Sequence, residues 1–269
     1  MTIITLTTDF GLKDGNVGVM KGVIGGIAPA AQLIDLSHLI SAQNVAEAAL
    51  IIHRAVPYFP AGAIHVVVVD PGVGTARRPL AARLGDQYYV GPDNGTLTRW
   101  LQRVEQEGAS SAFVHLDRRQ YWLPVVSHVF HGRDIFAPCA AHLAAGVALE
   151  ALGTPVSDPL RLELPQPQRT PTGWLAQVIH ADHFGNLSTN LYAEHLTGQT
   201  VASVRLGGER IDGLVDTFGQ RPPGALVALF GSTGNLIVSV VNGSAAQRLD
   251  VRPGDAVEVT LAERSTSRA

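Results

Sequence analysis

Two segments of the chain combine ionisable side chains with a setting that could hold them for chemistry. The first is VVVVDPGVGTARRP, Val66–Pro79. Its valines predict a strand buried on both faces that ends at Asp70, and the proline and glycines that follow predict a tight loop carrying Arg77 and Arg78. A carboxylate beside an arginine on such a loop can bind a polar ligand. The same residues can also form an ordinary turn with solvated arginines.

The second segment is FHGRDIFAP, Phe130–Pro138. His131 can accept and return a proton near neutral pH, although a buried histidine can equally be structural. Asp134 lies near the start of a predicted alanine-rich helix, Ile135–Leu149, where an aspartate typically caps the helix. The residues alone therefore leave a catalytic and a structural interpretation open for both side chains.

A third polar segment follows the first predicted strand, in TTDFG, Thr7–Gly11. Asp9 at the end of that strand could accept hydrogen bonds from the vicinal hydroxyls of a ribose, or it could be an ordinary loop carboxylate. The glycines match neither G-x-G-x-x-G nor the Walker P-loop, so no dinucleotide or triphosphate site is predicted.

The remaining polar segments are PDNG (92–95), HADHFGNLSTN (180–190) and GSTGN (231–235), and each by itself is typical of a turn. The chain has ten histidines. They form no H-x-H or H-x-x-x-H pair, no C-x-x-C pair occurs, and the candidate aspartates lie on separate loops. We therefore predict no metal and no cofactor.

The first half of the chain alternates strands with helices. Strands are predicted over residues 3–8, 32–36 and 64–69, and helices over the apolar stretch ending at Ile27 and over Val45–Val56. This alternation predicts an α/β fold with a mainly parallel sheet flanked by helices. Loops at the carboxyl ends of the strands should then carry the site.

The second half has a different composition. Five prolines between Gly153 and Gly173 predict a stiff connector. Beyond it, strand-like runs separated by Gly and Asn turns predict a smaller antiparallel β barrel, with strands at residues 174–181, 200–206, 226–230, 236–241 and 256–261. We predict an N-terminal α/β domain at 1–155 that carries the candidate site, a Pro-rich linker at 156–172 and a C-terminal β-barrel domain at 173–269.

Composition limits the possible partners. The chain has 269 residues, 16% charged, and a formal net charge of −3 without a basic stripe, so no nucleic-acid partner is predicted. No apolar run reaches the ~18 residues that suggest a membrane span, and the amino terminus resembles no targeting leader. The single cysteine, Cys139, lies in an apolar stretch and fits a reducing compartment. We expect a cytoplasmic protein that does not bind membranes.

Taken in order, the motifs resemble the S-adenosylmethionine (SAM) hydroxide adenosyltransferase family, the SAM hydrolases, which are related to the fluorinases and chlorinases. The resemblance rests on TTDFG, VDPGVGTARR, PDNG, FHGRDIFAP, FGN and GSTGNLIVSVVNG and covers essentially the whole chain. It implies an N-terminal α/β domain, a C-terminal β barrel, and a homotrimer that binds ligand between one subunit's first domain and its neighbour's second. It also implies the reaction, in which SAM and water give adenosine and methionine.

The resemblance also implies roles for individual residues. Asp70, Arg77 and His131 match the proposed water-activating triad. Asp9 matches the carboxylate that binds the ribose. The other implied substrate contacts are Asp14 and Asn16 at the amino-acid end, Asp182, Asn186 and Ser232 elsewhere on the ligand, and the backbone of Val240, Val241 and Asn242 at the adenine. The spacing from Asp182 to Asn186 is one residue shorter than in the halogenases.

Two departures from the halogenating relatives favour hydroxide over halide. Those relatives carry a tyrosine where this chain has Asp70, and a Tyr-Ser pair where it has His131 and Gly132. A carboxylate and an imidazole can remove a proton from water, whereas a carboxylate repels a halide. The cluster is expected to orient one water opposite the sulfur of SAM while Asp9 holds the ribose. Which member of the triad takes the proton stays open.

Three alternative functions remain at this point. The first is a halogenase that makes a 5′-halo-5′-deoxyadenosine from the same substrate. The second is a non-catalytic adenosine or SAM sensor that keeps the pocket without turnover. The third is a metal-dependent hydrolase that uses Asp9, Asp70, His131 and Asp134.

Overall fold

The structure is a computed structural model that describes residues 1–263. The chain forms two compact units, Met1–Leu162 and a second unit that begins at Glu163. The first is a mixed α/β unit and the second is an antiparallel, nearly closed barrel, which confirms the predicted fold class. The predicted domain limits, with a linker at 156–172, stay a prediction.

The first unit is built on a seven-stranded sheet with the order β2-β1-β3-β5-β4-β6-β7. Strands β2, β1, β3 and β5 pair in parallel, and β4, β6 and β7 complete the sheet with antiparallel pairs. The strand bounds are β1 Ile3–Thr8, β2 Gln32–Ser37, β3 Ile64–Val68, β4 Pro79–Leu84, β5 Gln87–Pro92, β6 Ser111–His115 and β7 Thr154–Val156.

The valine run of β3 is buried on both faces of this sheet. Val66 and Val68 belong to one hydrophobic core, and Val67 and Val69 belong to the other. Successive side chains of a strand point to opposite faces, so an unbroken apolar run is what a strand between two cores requires. The prediction of a doubly buried strand ahead of Asp70 is confirmed.

Helices cover both faces. On one face lie α1 (Asn16–Ile27) and α4 (Ala137–Ala144), and on the other lie α2 (Val45–Ala55) and α3 (Thr98–Gln106). The predicted helix over 135–149 is wrong beyond Ala144, because Gly146 takes a left-handed φ of +96° that ends the helix. Across the described residues, no helix has both the length and the apolarity to cross a membrane.

The second unit is an antiparallel sheet with the order β12-β11-β15-β9-β10-β14-β13, with β8 added beside β9. Its elements are β8 Gln168–Thr170, β9 Gly173–Ala181, β10 Leu187–Tyr192, β11 Val201–Leu206, β12 Glu209–Asp212, β13 Leu226–Phe230, β14 Asn235–Val240, α5 Ala245–Leu249 and β15 Ala256–Leu261. The sequence predicted a turn where β10 lies. This strand is polar in sequence yet buried, and the Thr189 hydroxyl donates to the Leu236 carbonyl at 2.8 Å.

Candidate active site

A buried ion pair stands in the loop between β3 and β4. The Nε of Arg77 donates to Oδ1 of Asp70 at 3.0 Å, and Nη2 of Arg77 donates to Oδ2. The two side chains are only 6% and 5% exposed. Such a two-point contact fixes the plane of the carboxylate as well as its position. Asp70 and Arg77 are therefore held as one rigid unit at the end of a parallel strand.

Glycines let a second loop approach this pair. Gly74 has a φ of +76°, and a Cβ built there would lie 2.2 Å from the carbonyl oxygen of His128. At Gly72, a Cβ would lie 3.3 Å from the Cβ of Arg77. Any other residue at Gly74 would meet both backbone strain and this contact. The loop that ends at His131 therefore packs directly on the loop that carries Arg77.

His131 completes the cluster. Its Nδ1 lies 3.1 Å from Nη2 of Arg77. A guanidinium can only donate hydrogen bonds, so Nδ1 must accept, and the neutral imidazole carries its proton on Nε2. The sequence predicted that Asp70, Arg77 and His131 would act together, and the structure brings the three side chains into contact.

A π-helical turn, Gly132–Phe136, directly follows His131 and continues into α4. Such turns are rare and are found frequently at functional sites. A Cβ at Gly132 would lie 3.2 Å from Sδ of Met20 and 3.3 Å from Cγ1 of Val68. The turn thus runs close against α1 and β3, and it directs His131 toward the end of the strand that leads to Asp70.

Burial shifts the pKa values of Asp70 and His131 in opposite directions. Burial raises the pKa of Asp70, although the charge and hydrogen bonds of Arg77 oppose the shift. Burial, and next the charge of Arg77, lower the pKa of His131. The contacts themselves define the cluster: both oxygens of Asp70 and Nδ1 of His131 accept from Arg77, as a carboxylate and a neutral imidazole do beside a guanidinium.

Arg77 retains one unused donor. Its Nη1 is buried and has no hydrogen-bond partner among residues 1–263, while its Cζ lies 5.3 Å from the centre of the Phe136 ring. A buried guanidinium N–H without a partner is costly unless a ligand or solvent molecule accepts from it. This donor is one place where the cluster can bind an oxygen atom.

Asp134 stabilises the loop around His131 through hydrogen bonds. Its Oδ2 accepts from the amide of Ser127 at 2.8 Å, and its Oδ1 accepts from Nε of Arg133 at 2.5 Å. The helix-cap interpretation of Asp134 is wrong, since no side chain caps α4 and the fully buried carboxylate spans the preceding loop instead. Within residues 1–263, no group of three or more His, Cys, Asp and Glu side chains is placed to hold a metal ion.

Asp9 lies at the same edge of the sheet, directly after β1. Its Oδ2 accepts from the amide of Gln43 at 2.8 Å. The next residue, Phe10, meets Phe130 edge to face with ring centroids 5.7 Å apart. The loop of Asp9 therefore packs beside the residue that precedes His131. Asp14 and Asn16 are exposed, and Asn16 is the first residue of α1.

A network of side chains that no sequence motif indicated anchors the Asp9 loop, and its members Thr8 and His38 are buried. The hydroxyl of Thr8 lies 3.0 Å from Nδ1 of His38, and Nε2 of His38 lies 3.0 Å from Oδ1 of Asp35. Lys21 contacts the other oxygen of Asp35 at 2.6 Å, and the amide of Gly11 donates to the carbonyl of His38. The available signal was a histidine just after the second parallel strand, at the predicted site edge.

In the second unit, Asp182 and Asn186 close one turn together. Oδ1 of Asp182 accepts from the amides of Phe184 and Asn186 at 2.9 and 2.8 Å, and Nδ2 of Asn186 donates to Oδ2 of Asp182 at 2.8 Å. A Cβ at Gly185 would lie 2.0 Å from Oγ of Ser244. This turn therefore lies against the segment that follows Asn242.

The other residues predicted in this unit lie at the two ends of β14. Val240 and Val241 are buried where the strand ends, and Asn242 next to them takes a left-handed φ of +55°. Ser232 is exposed in the turn before the strand begins. Five strand residues, 235–239, lie between the turn and Val240, or about 17 Å at ~3.3 Å per residue. The structure therefore places Ser232 apart from Asp182, Asn186 and the Val240–Asn242 segment.

Comparison with known proteins shows the family of the chain. Residues 4–153 match the SAM hydroxide adenosyltransferase N-terminal domain, and residues 176–258 match the C-terminal domain of the same family. Crystal structures of an uncharacterized conserved protein from Thermotoga maritima and a conserved hypothetical protein from Thermus thermophilus are similar. Their TM-scores are 0.86 and 0.76, with 36% and 38% identity, 95% and 96% of this chain covered, and 99% and 100% of those chains.

Named relatives agree. The (R)-S-adenosyl-L-methionine hydrolase of Salinispora tropica is 43% identical over 96% of this chain and 97% of its own length. The enzyme of that name from Thermus thermophilus is 41% identical over 94% and 98%. A fluorinase of Nocardia brasiliensis is 26% identical over 96% and 97%. By its two matched domains and these relatives, the chain belongs to the SAM hydroxide adenosyltransferase family.

Proposed function

We propose that this protein hydrolyses S-adenosyl-L-methionine to adenosine and L-methionine by attack of water on C5′. The observation that carries the proposal is the contact of Asp70, Arg77 and His131 in one buried cluster. The relatives named (R)-S-adenosyl-L-methionine hydrolase, at 41–43% identity, support the same reaction. An aspartate and a histidine stand where the fluorinase-like alternative needs neutral donors.

Asp70 is the base in this mechanism. The lone pair of His131 Nδ1 faces Arg77 and its Nε2 carries the proton, so the neutral imidazole has no free basic nitrogen. The carboxylate of Asp70 accepts from Arg77 and still has lone pairs on both oxygens. Because burial raises the pKa of Asp70, its carboxylate is a stronger base than an exposed one.

The other two residues hold the water. His131 donates from Nε2 to the water oxygen, and the unused Nη1 of Arg77 stabilises the developing hydroxide. As the water loses its proton to Asp70, its oxygen forms a bond to C5′ while the bond from C5′ to sulfur breaks. Both electrons of that bond leave with methionine, a neutral leaving group that needs no acid.

Substrate-binding roles follow the family resemblance. Asp9 holds its loop through Oδ2 and binds the ribose hydroxyls, while Asp14 and Asn16 contact the amino-acid end. In the second unit Asp182, Asn186 and Ser232 are further contacts, and the backbone of Val240–Asn242 reads the adenine. Because the predicted contacts occupy both ends of β14, an extended ligand along this strand would reach all of them.

A homotrimer completes the site in this proposal. Leu12, Leu39, Val125 and Val129 are exposed on loops of the first unit near Asp9 and His131, although such side chains favour burial. We propose that the second unit of a neighbouring subunit covers them. Mixing an Asp70→Asn variant with an Asn186→Ala variant should then restore activity, because mixed trimers contain sites free of both changes. Absence of restored activity after subunit exchange would contradict shared sites.

We also propose a cytoplasmic location. The single cysteine, Cys139, is buried, and burial raises the pKa of its thiol to about 12. A buried thiol of this kind supports no disulfide framework. Fractionation of the native host, with the protein recovered from the cytoplasmic fraction, would test the location.

The deciding experiment is product analysis in H2(18)O. The purified protein is incubated separately with the (R) and (S) sulfonium epimers of SAM, and the products are identified by mass spectrometry. We expect adenosine with one 18O at the 5′ oxygen, unlabelled methionine, and faster turnover of the (R) epimer named by the relatives. Adenosine without label would contradict attack of water at C5′.

The same assay separates the alternatives. A halogenase would form 5′-halo-5′-deoxyadenosine in chloride or fluoride buffer. A sensor would bind adenosine or SAM tightly and release no methionine. A metal-dependent hydrolase would lose its activity with a chelator and regain it with a divalent cation. We expect none of these three results.

A further inference from the structure

We propose that the PDNG segment, Pro92–Gly95, is a brace that positions the Asp70–Arg77 ion pair, and that Asn94 is its central positioning residue. In sequence alone, this segment is typical of a plain turn. The inference rests on the proposed function insofar as it treats Asp70 as the base. Its structural part concerns the two ends of the loop that carries the ion pair.

Asn94 holds the end of the loop next to Asp70. Its Nδ2 donates to the carbonyl of Val69 at 2.8 Å, so the residue just before Asp70 is bound from the side. Its Oδ1 accepts from the amide of Thr96 at 3.2 Å and from the Thr96 hydroxyl at 2.5 Å. Because an N–H donor faces the oxygen, only one orientation of the Asn94 amide satisfies all three contacts.

Asp93 holds the other end of the loop, next to Arg77. Its amide donates to the carbonyl of Arg78 at 2.9 Å, and its Oδ2 accepts from Nε of Arg78 at 2.9 Å. Its Oδ1 accepts from the amide of Leu160 at 2.8 Å. This carboxylate is only 1% exposed, and all of these partners lie within the first unit. The side chain of Arg78 thereby binds Asp93, while Arg77 contacts Asp70.

The PDNG segment therefore forms hydrogen bonds with both ends of the loop that carries Asp70 and Arg77. Val69 precedes Asp70, and Arg78 follows Arg77, so two neighbouring side chains of one turn fix the anchors of both members of the ion pair. The fit is close along this edge, since a Cβ at Gly91 would lie 2.4 Å from the carbonyl oxygen of Val67. A displacement of about 1 Å in reacting groups can cost ~10²-fold in rate. Asn94 thus acts through Asp70 without contacting the reacting atoms.

Asn94→Asp is the sharpest test. The substitution keeps the size and the acceptor for Thr96 but replaces the Nδ2 donor with an oxygen that faces the Val69 carbonyl. We expect kcat to fall roughly 10- to 100-fold while KM changes by less than about threefold, because the positioning of Asp70 is disturbed and the substrate contacts are not. Wild-type kcat in a folded Asn94→Asp protein would overturn the proposal.

Asn190→Asp is the matched control. Asn190 makes the same two kinds of contact in the second unit, donating from Nδ2 to the Pro165 carbonyl at 2.9 Å and accepting at Oδ1 from the Gln177 amide at 2.8 Å. The Asn190→Asp substitution should lower the melting temperature as Asn94→Asp does, but its kcat should stay within about twofold of the wild-type value. An equal loss of kcat in both variants would mean that general destabilisation, and not the brace, explains the effect.

A second measurement does not depend on turnover. The 15N shifts of the His131 imidazole report which ring nitrogen carries the proton, and the contact from Arg77 keeps Nδ1 unprotonated. We expect Asn94→Asp to shift these signals toward a tautomer mixture and Asn190→Asp to leave them unchanged. Unchanged His131 signals in Asn94→Asp would overturn the brace, whether or not the wild type hydrolyses SAM. Failure of the wild type to release methionine would, by contrast, reject the proposed function and leave the test of the brace intact.

Thr96→Val covers the case in which Asn94→Asp does not fold. Valine keeps the shape of Thr96 but removes the hydroxyl that donates to Oδ1 of Asn94, while the backbone amide contact remains. We expect the same changes in kcat and in the His131 shifts at smaller amplitude, about two- to fivefold in kcat, in keeping with loss of one neutral hydrogen bond. No change in either readout would contradict the brace.

Discussion

Arg77 and Arg78 are neighbours in sequence, and each pairs with an aspartate, yet the two pairs differ in what they leave unsatisfied. Arg78 is 28% exposed and divides its donors between Asp93 and both the side chain and the carbonyl of Asp158. Arg77 is 6% exposed, and its Nη2 reaches the imidazole of His131 while Nη1 has no partner in the described part of the chain.

The difference separates a structural ion pair from one suited to chemistry. In the Arg78 pair, Asp93 also accepts a hydrogen bond from the backbone amide of Leu160, and this contact holds the segment around Leu160 against the sheet. In the Arg77 pair, a carboxylate of raised pKa and a free N–H stand next to a neutral imidazole. Buried donors and acceptors that have no protein partner can bind and orient a reacting water.

The largest expected effect is that of Asp70→Asn. Loss of the proposed base should lower kcat by ~10²–10⁴-fold with a smaller change in SAM binding, because Asp70 is proposed to act on the water and not on SAM. Steady-state kinetics together with calorimetric binding of SAM would measure both quantities. Asp93→Asn, the matched change in the other pair, should chiefly lower thermal stability. Near-normal turnover by Asp70→Asn would refute the role of Asp70.

Changes at His131 should have a smaller effect. If His131 donates a hydrogen bond from Nε2, its loss in His131→Ala removes a contact worth about 1.5–3 kcal/mol, or roughly 10- to 100-fold in kcat. His131→Gln, which can still donate, should retain more activity than His131→Ala. Single-turnover rates would measure the difference. A loss in His131→Ala as large as that in Asp70→Asn would instead favour the imidazole as the base.

The pH dependence follows from the directions of the pKa shifts. In the proposed mechanism Asp70 acts as the carboxylate, so its raised pKa should move the acid limb of kcat/KM above the usual range of an aspartate. Activity should be full above this pKa and fall as the pH is lowered through it. His131 must stay neutral to accept from Arg77, and its lowered pKa places its protonation on the same acid side.

A profile of kcat/KM against pH, measured in buffers of constant ionic strength, would check this limb. Two groups that must both be unprotonated predict a slope steeper than one proton at low pH. An acid limb at the position of an unperturbed aspartate would show that burial does not shift Asp70 in the active enzyme.

Arg78→Met should affect stability more than activity. It leaves the buried carboxylate of Asp93 without its charged partner, which costs about 1–3 kcal/mol of the free energy of unfolding. Urea unfolding followed by fluorescence would measure the loss, and Arg78→Lys should recover part of it. We expect less than tenfold loss of kcat, because Asn94 still holds the other end of the loop. A loss equal to that of Asp70→Asn would erase the distinction between the two pairs.

The smallest expected effect is that of His38→Ala. This change removes the contact with the Thr8 hydroxyl beneath the Asp9 loop, a loss of about 1 kcal/mol or roughly fivefold. We expect this loss to raise the KM for SAM and to leave kcat nearly unchanged, because Asp9 is proposed to bind the ribose and not to take part in the reaction. His38→Asn, which can keep a polar contact to Thr8, should recover part of the loss. A fall in kcat without a change in KM would contradict this role.

Local patterns predicted much of the fold. The valine run before Asp70 and five strands of the second unit follow from composition and period, because each element must bury a defined face. These strands are β9, β11, β13, β14 and β15, whereas the short strands β8 and β12 were not predicted. Strand β10 escaped prediction because its buried polar residues, such as Thr189, are satisfied by partners distant in sequence. The end of α4 and the role of Asp134 escaped because a left-handed glycine and a loop amide decided them.

The sequence by itself determined the family and the two kinds of fold, and it predicted three candidate reactive side chains, because ordered motifs and periodic burial are properties of the chain itself. Only the tertiary structure decided that Arg77 turns to His131 while Arg78 turns to Asp93, and that PDNG binds both ends of their loop. These choices depend on backbone groups brought together from separate strands, and hydrogen bonds of that kind leave no periodic signal in the sequence.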